Sequence, residues 1–251
     1  MRISIALLSL FVVAVVALFA LAPATWVDRR VAAISEGKVR INDAQGTVWR
    51  GHGALGDSRG AWRIPVAWRI APVALARGAL DVEFEASPAS SVPRGPRGQI
   101  ILWNGSAELR NLELRVPAAA LHTLAPAALP VEAGGEWVLN SPAFHYGGGR
   151  PEGVIDLRWD RARLASAGSA LDLGTLTARL VPQGGALAGT LANVGGDAQI
   201  DGDVTLAANG ATVRVNIAAG PSVPPDVART IAALGTPDAN GVVHVQWHLG
   251  K

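Results

Sequence analysis

The chain has 251 residues, of which 49% are hydrophobic and only 17% charged, with 29 Gly, 16 Pro, no Cys and a formal net charge of +2. So apolar a composition excludes a disordered tail and supports a substantial core. The near-neutral charge, with no local concentration of Lys and Arg, excludes a nucleic-acid surface, and the missing cysteines exclude a disulfide framework and a thiolate metal site. Abundant Gly and Pro with short runs of Leu and Val point to many strands and turns rather than long helices.

The first element is apolar. From Ile3 to Ala22 there are 20 residues without a charge, and a helix rising 1.5 Å per residue over that length crosses a hydrocarbon core of roughly 30 Å. A cleaved signal peptide is the rival reading, since Ala20-Leu21-Ala22 has small-x-small spacing. Its apolar region normally runs only about 7–15 residues, and Pro23 would follow the cut bond with its rigid ring. Retention as a transmembrane anchor over residues 1–24 is therefore expected. Arg2 flanks one end and Arg29 and Arg30 the other, so orientation rests on the short lead, which favours an internal amino terminus and an external body.

Thr25 and Asp28 have capping-box spacing, and Gly37 follows Glu36, so residues 25–37 are expected to form a short interfacial helix with Trp26 at headgroup depth. Residues 38–251 then read as one β-rich domain. Trp62, Ile64, Val66, Trp68 and Ile70 alternate with Arg63, Pro65, Ala67 and Arg69, and Pro65 predicts an edge or a bulge. Pro72 to Gly78 predicts a short helix, followed by a strand with Leu80, Val82 and Phe84 inward and Asp81, Glu83 and Glu85 outward. That acidic face suits a cross-strand pairing with Arg63 and Arg69. The stretch Ser87 to Gly98, rich in Ser, Pro and Gly, is expected as a loop rather than a domain boundary.

Further strands are expected at Gln99 to Val116, Ile155 to Asp160, Leu171 to Val181, Leu187 to Leu191, Ile200 to Leu206, Val213 to Ile217 and Val243 to Leu249, with turns at Gly147 to Gly153. Short helices are expected after Pro117 and after Pro224-Pro225. One wet face per strand is the mark of antiparallel pairing. The fold class is thus mainly β: an N-terminal transmembrane helix, then a large antiparallel, curved sheet domain with a few short helices.

Chemistry is not apparent. His52, His122, His145, His244 and His248 lack zinc spacing, and on a strand His244 and His248 lie roughly 13 Å apart. Asp197, Asp201 and Asp203 lack the order of a calcium loop, and neither a G-x-S-x-G elbow nor a phosphate loop is present. Trp62, Trp68, Trp159 and Trp247 fall on apolar faces, where packing accounts for them. No enzyme, cofactor, metal or small-molecule substrate is expected.

The hexapeptide Gly46-Thr47-Val48-Trp49-Arg50-Gly51, the Trp-containing strand at Pro65 to Ile70, the run Leu124-Ala-Pro-Ala-Ala-Leu-Pro130 with Gly134-Gly135, and the ending Leu234-Gly235-Thr236-Pro237-Asp238 with Gly241 together resemble the N component of the bacterial type II secretion system. The resemblance implies a non-catalytic accessory subunit in the inner membrane, its bulk in the periplasm, assisting export of folded proteins across the outer membrane through contacts with other secretion subunits. Within the motif, Gly46, Thr47, Val48, Trp49 and Gly51 are expected to mark fold, with Trp49 plugging the sheet and the glycines making its turns. A looser similarity to AsmA-like groove proteins would instead imply an apolar concavity that shields lipid.

Overall fold

The computed structural model describes residues 20–87, 95–120, 132–166, 169–220, 223, 228, 231 and 235–249. The apolar run up to Phe19, the segment after residue 120 and most of the expected helix after Pro224-Pro225 lie outside the described residues. Among those described, no helix is long and apolar enough to cross a membrane. The chain divides into two compact units, residues 1–95 and 96–251, and the division falls inside the Ser/Pro/Gly-rich stretch expected as a loop only.

The first unit carries helix α1 (Thr25–Ile34) and strands β1 (Val39–Gly46), β2 (Arg50–Asp57) and β3 (Arg63–Ile70), then helix α2 (Pro72–Leu75) and strand β4 (Ala79–Ala86). The strands pair antiparallel in chain order. Trp62, Ile64 and Trp68 are buried, as the alternation predicts, and Ile41, Trp68 and Ala24 form a core against which Val27, Val31, Leu55 and Ile70 pack. Pro65 departs from expectation: it sits within inner strand β3, in register opposite Ala54, with no bulge between β2 and β3. Its carbonyl accepts the Ser87 amide just past the end of β4. The missing N–H points the same way, to a place where the neighbouring strand has already finished, so no ladder bond is lost. Arg69 meets Glu83 at 3.5 Å across β3 and β4 as the charge pattern predicts, whereas Arg63 turns to Asp43 of β1.

The second unit is an antiparallel meander. It runs through β5 (Arg97–Trp103), β6 (Ser106–Pro117), β7 (Glu132–Gly147), β9 (Ile155–Ser166), β10 (Ser169–Gln183), β11 (Ala186–Val194), β12 (Ala198–Ala207), β13 (Gly210–Ala219) and β14 (Val242–Leu249), with the short β8 (Arg150–Gly153) pairing only with β7. Tight turns hold it together. Asn104 and Gly105 both take positive φ between Trp103 and Ser106, the mirror-image turn whose twist matches that of the strands.

Its apolar face gathers Trp159, Leu171, Leu176, Ile200, Val215, Ile217 and Val243, over which Ala118 and Ile231 lie fully buried. Each large aliphatic side chain so covered contributes about 2 kcal/mol. Trp137 and Trp159 stack with ring centroids 4.7 Å apart across β7 and β9.

Candidate functional site at the turn between the first two strands

The hexapeptide lies where β1 reverses into β2. Gly46 takes φ +91°, and a Cβ there would stand 2.6 Å from the Arg50 carbonyl. The Thr47 amide donates to that same carbonyl at 2.9 Å, and the Arg50 amide donates to the Thr47 hydroxyl at 3.2 Å. Gly51 is required by packing: a Cβ would sit 2.5 Å from Cζ2 of Trp68 and 2.7 Å from the Gln45 carbonyl. The indole filling the turn is therefore Trp68, only 6% exposed, and not Trp49, which is half-buried and whose carbonyl accepts the Ile70 amide at 2.8 Å. The Trp68 indole N–H donates to the Val48 carbonyl at 3.1 Å, fastening the turn to β3.

The turn also grips the segment that leaves the apolar run. Val48 donates its amide to the Ala22 carbonyl at 2.8 Å, Ala24 donates to the Gly46 carbonyl at 3.1 Å, and Pro23 and Thr47 make an antiparallel bridge. Ala22 and Ala24 are buried in the process. Pro23, between them, has no amide to leave unpaired. Leu21–Ala24 is consequently a clasped, non-helical strap ahead of α1.

α1 then folds back along β1. Its expected capping box does not form: Ala24 occupies the cap without a side-chain bond, and the first amides are met by the carbonyls of Pro23 and Ala24. Asp28 instead reaches across to β1, accepting the Ile41 amide at 2.8 Å and Arg40 Nε at 2.9 Å. The Arg40 hydrogen bond lowers the Asp28 pKa against the opposing effect of burial, helped by the Ile41 amide and by the charges of Arg40 and Arg29. Ser35 accepts the Val39 amide at 3.0 Å. Asp28 of α1 and Ser35 at its end thereby satisfy alternate amides at the start of the outer edge of β1, which blunts that edge toward strand addition.

A cleft of about 560 Å3 lies over β2–β4, lined by Arg50, His52, Trp68, Arg69, Glu83, Phe84 and Glu85. In the second unit a cleft of about 370 Å3 is bordered by Val138, Leu157 and Ala178 together with Asn140, Asp156, Arg158 and Arg179. Charged side chains line both, so neither is the purely apolar concavity that the lipid-groove similarity implies. The aspartates singled out in the sequence serve the backbone and its neighbours: Asp197 accepts the Asp172 amide at 3.0 Å, and Asp201 accepts the Asn216 side-chain amide at 2.7 Å. His244 lies between Asn216 and Asp238, and His248 beside Thr212 and Gln246. His122 lies outside the described residues. Among the described residues no three His, Asp or Glu side chains are placed to hold a metal.

Among the described residues, Asp28, Glu108 and Asp238 are the carboxyls whose pKa is displaced, each lowered most by a hydrogen bond that ties down structure. The donors are Arg40 for Asp28, Arg110 for Glu108 and the Val242 amide for Asp238. Perturbation of this sort marks fastening rather than proton transfer.

A family model described as type II secretion system (T2SS), protein N, matches residues 37–246, from the end of the α1 turn into β14 and including all of the hexapeptide. No curated protein and no solved structure matches the chain.

Proposed function

Because the chain belongs to the family of type II secretion system protein N, we propose that it is an accessory subunit anchored in the inner membrane by the single apolar span Ile3–Ala22. Residues 25–37 lie at the membrane surface, and residues 38–251 stand in the periplasm and assist export of folded proteins by touching other secretion subunits. It transforms no substrate. The observation that carries this reading is the clasp: the Gly46–Gly51 turn seizes Ala22–Ala24, the last residue of the apolar run and the two that follow it, by two backbone hydrogen bonds and a β-bridge.

A flexible leash would leave the body free to tumble. A clasped one fixes it against its anchor, as a subunit that must present one surface to neighbours in the same membrane requires. The cleft over β2–β4, lined by Arg50, Arg69, Glu83 and Glu85, suits protein contact better than acyl chains, which favours this role over lipid handling.

In-frame deletion in the native host tests the role. The proposal expects a type II substrate to accumulate in the periplasm while its level in the medium falls, with restoration by a plasmid-borne copy. Undiminished secretion from the deletion strain would overturn it.

A further inference from the structure

α1 buries one side only. Val27, Asp28 and Val31 face the sheet, and at 100° per residue Arg29, Ala33, Trp26, Arg30 and Ile34 form one continuous arc on the other side. Trp26 is 56% exposed and Ile34 85%. A helix facing water keeps its apolar residues inward, so an indole and an isoleucine interleaved with two arginines on the outer arc suit a second medium. Neither arginine is within ion-pair distance of a carboxylate among the described residues.

The position of the helix says what that medium is. The 20-residue apolar run ends at Ala22, Leu21 is 72% exposed, and the strap places the start of α1 three residues later. Any helix begun so close to a span lies within reach of the headgroups, and an arc of Trp, Ile and Arg has the amphipathic character that settles there.

We infer that the outer arc of α1 binds anionic phospholipid headgroups, with Arg29 and Arg30 on the phosphates and Trp26 and Ile34 sunk to the acyl boundary. This rests on the anchoring proposed above and gives the helix a partner of stated charge. Each arginine near an anionic surface favours the bound pose roughly fivefold, and salt weakens the effect within a Debye length. Because Asp28 and Ser35 fasten the inner side of α1 to β1, binding on its outer side also sets the pose of the β1–β4 sheet on the membrane.

The chain has no Cys, so single spin labels can be placed without background. Full-length Val13→Cys, Ile34→Cys and Glu85→Cys proteins would be set in nanodiscs of phosphatidylcholine with phosphatidylglycerol, and collision with a water-soluble relaxant measured. The label at 13 should be shielded, the label at 34 should meet the relaxant several-fold less often than the label at 85, and added salt should narrow that gap. A shielded 13 with a 34 as wet as 85 would overturn the inference and leave the anchor standing. A wet 13 would remove the anchor and the inference with it. In the Ile34→Cys background, Arg29→Gln with Arg30→Gln should raise exposure several-fold with phosphatidylglycerol present and hardly at all in phosphatidylcholine alone. No change, or the same change in both lipids, would overturn the anionic headgroup as partner.

Discussion

A methyl group at position 51 would collide with Trp68 on one side and with backbone on the other, and the Gln45 carbonyl 2.7 Å away cannot rotate aside as a side chain could. Gly51→Ala should therefore cost about 1–3 kcal/mol, the usual penalty of overpacking, read as a lower midpoint in urea unfolding. A midpoint unchanged from wild type would mean that Trp68 does not fill the turn. Asp28 offers a second residue-scale test through pH. Its proton affinity is depressed in the folded chain, so the stability it contributes is complete above the ordinary carboxyl pKa of about 3.9 and is lost as pH falls through the lowered folded value. Asp28→Asn should be less stable than wild type by a constant margin from neutral pH down to about 4, and the two curves should converge in stronger acid. Parallel curves throughout would assign the loss to packing alone. Neither partner was legible in the sequence, since the Thr25-x-x-Asp28 spacing pointed to a local cap, while Arg40 is 12 residues away on another element.

Alternation revealed most strands because a one-sided sheet writes its burial into every second residue. It did so for β3, β4, β9, β13 and β14. It failed for β7, the 16-residue strand, whose register shifts between Gly134 and Glu136 and whose middle buries Ser141, with its hydroxyl donating to the Val154 carbonyl at 2.8 Å. A bulge exchanges the two faces and a buried serine looks like a turn, so the period is lost although the ladder continues. β2 was obscured by Gly51, Gly53 and Gly56, which carry no hydrophobic signal because neighbouring groups occupy the space a side chain would take. Two predictions belong to this scale. Ser35→Ala should speed hydrogen exchange at the Val39 amide while leaving inner strand β3 protected, and unchanged exchange at Val39 would show that α1 does not cap the edge. At the β11–β12 turn, the Asn193 side-chain amide donates to carbonyls of Leu173, Gly195 and Ala198 and its oxygen accepts the Ile200 amide. Asn193→Asp turns those donors into a charge facing three carbonyls, and should destabilise the chain by about 3 kcal/mol in thermal or urea unfolding. A neutral result would mean that the Asn193 amide does not hold those three carbonyls.

For the molecule as a whole, the β-rich class, its antiparallel pairing and the family were all readable from the chain, the last from short motifs and the first two from periodicity. The part played by the hexapeptide was not. Spacing tells which face a residue occupies but not which distant segment it holds, so the bonds from Gly46 and Val48 to Ala24 and Ala22 had no signature, and although Trp68 was placed on a packed face, nothing in its spacing showed that it fills this turn by bonding to the Val48 carbonyl. The division at Gly95 escaped for a related reason, since a loop rich in Ser, Pro and Gly reads alike inside a domain and between two units. The central claim is that the body acts only while held to its membrane anchor. It is tested most directly by giving a deletion strain either the whole chain or residues 23–251 released into the periplasm from a cleaved leader, at matched levels, and measuring how a type II substrate divides between periplasm and medium. The account predicts export with the whole chain and retention in the periplasm with the released body; full export by the released body would contradict it.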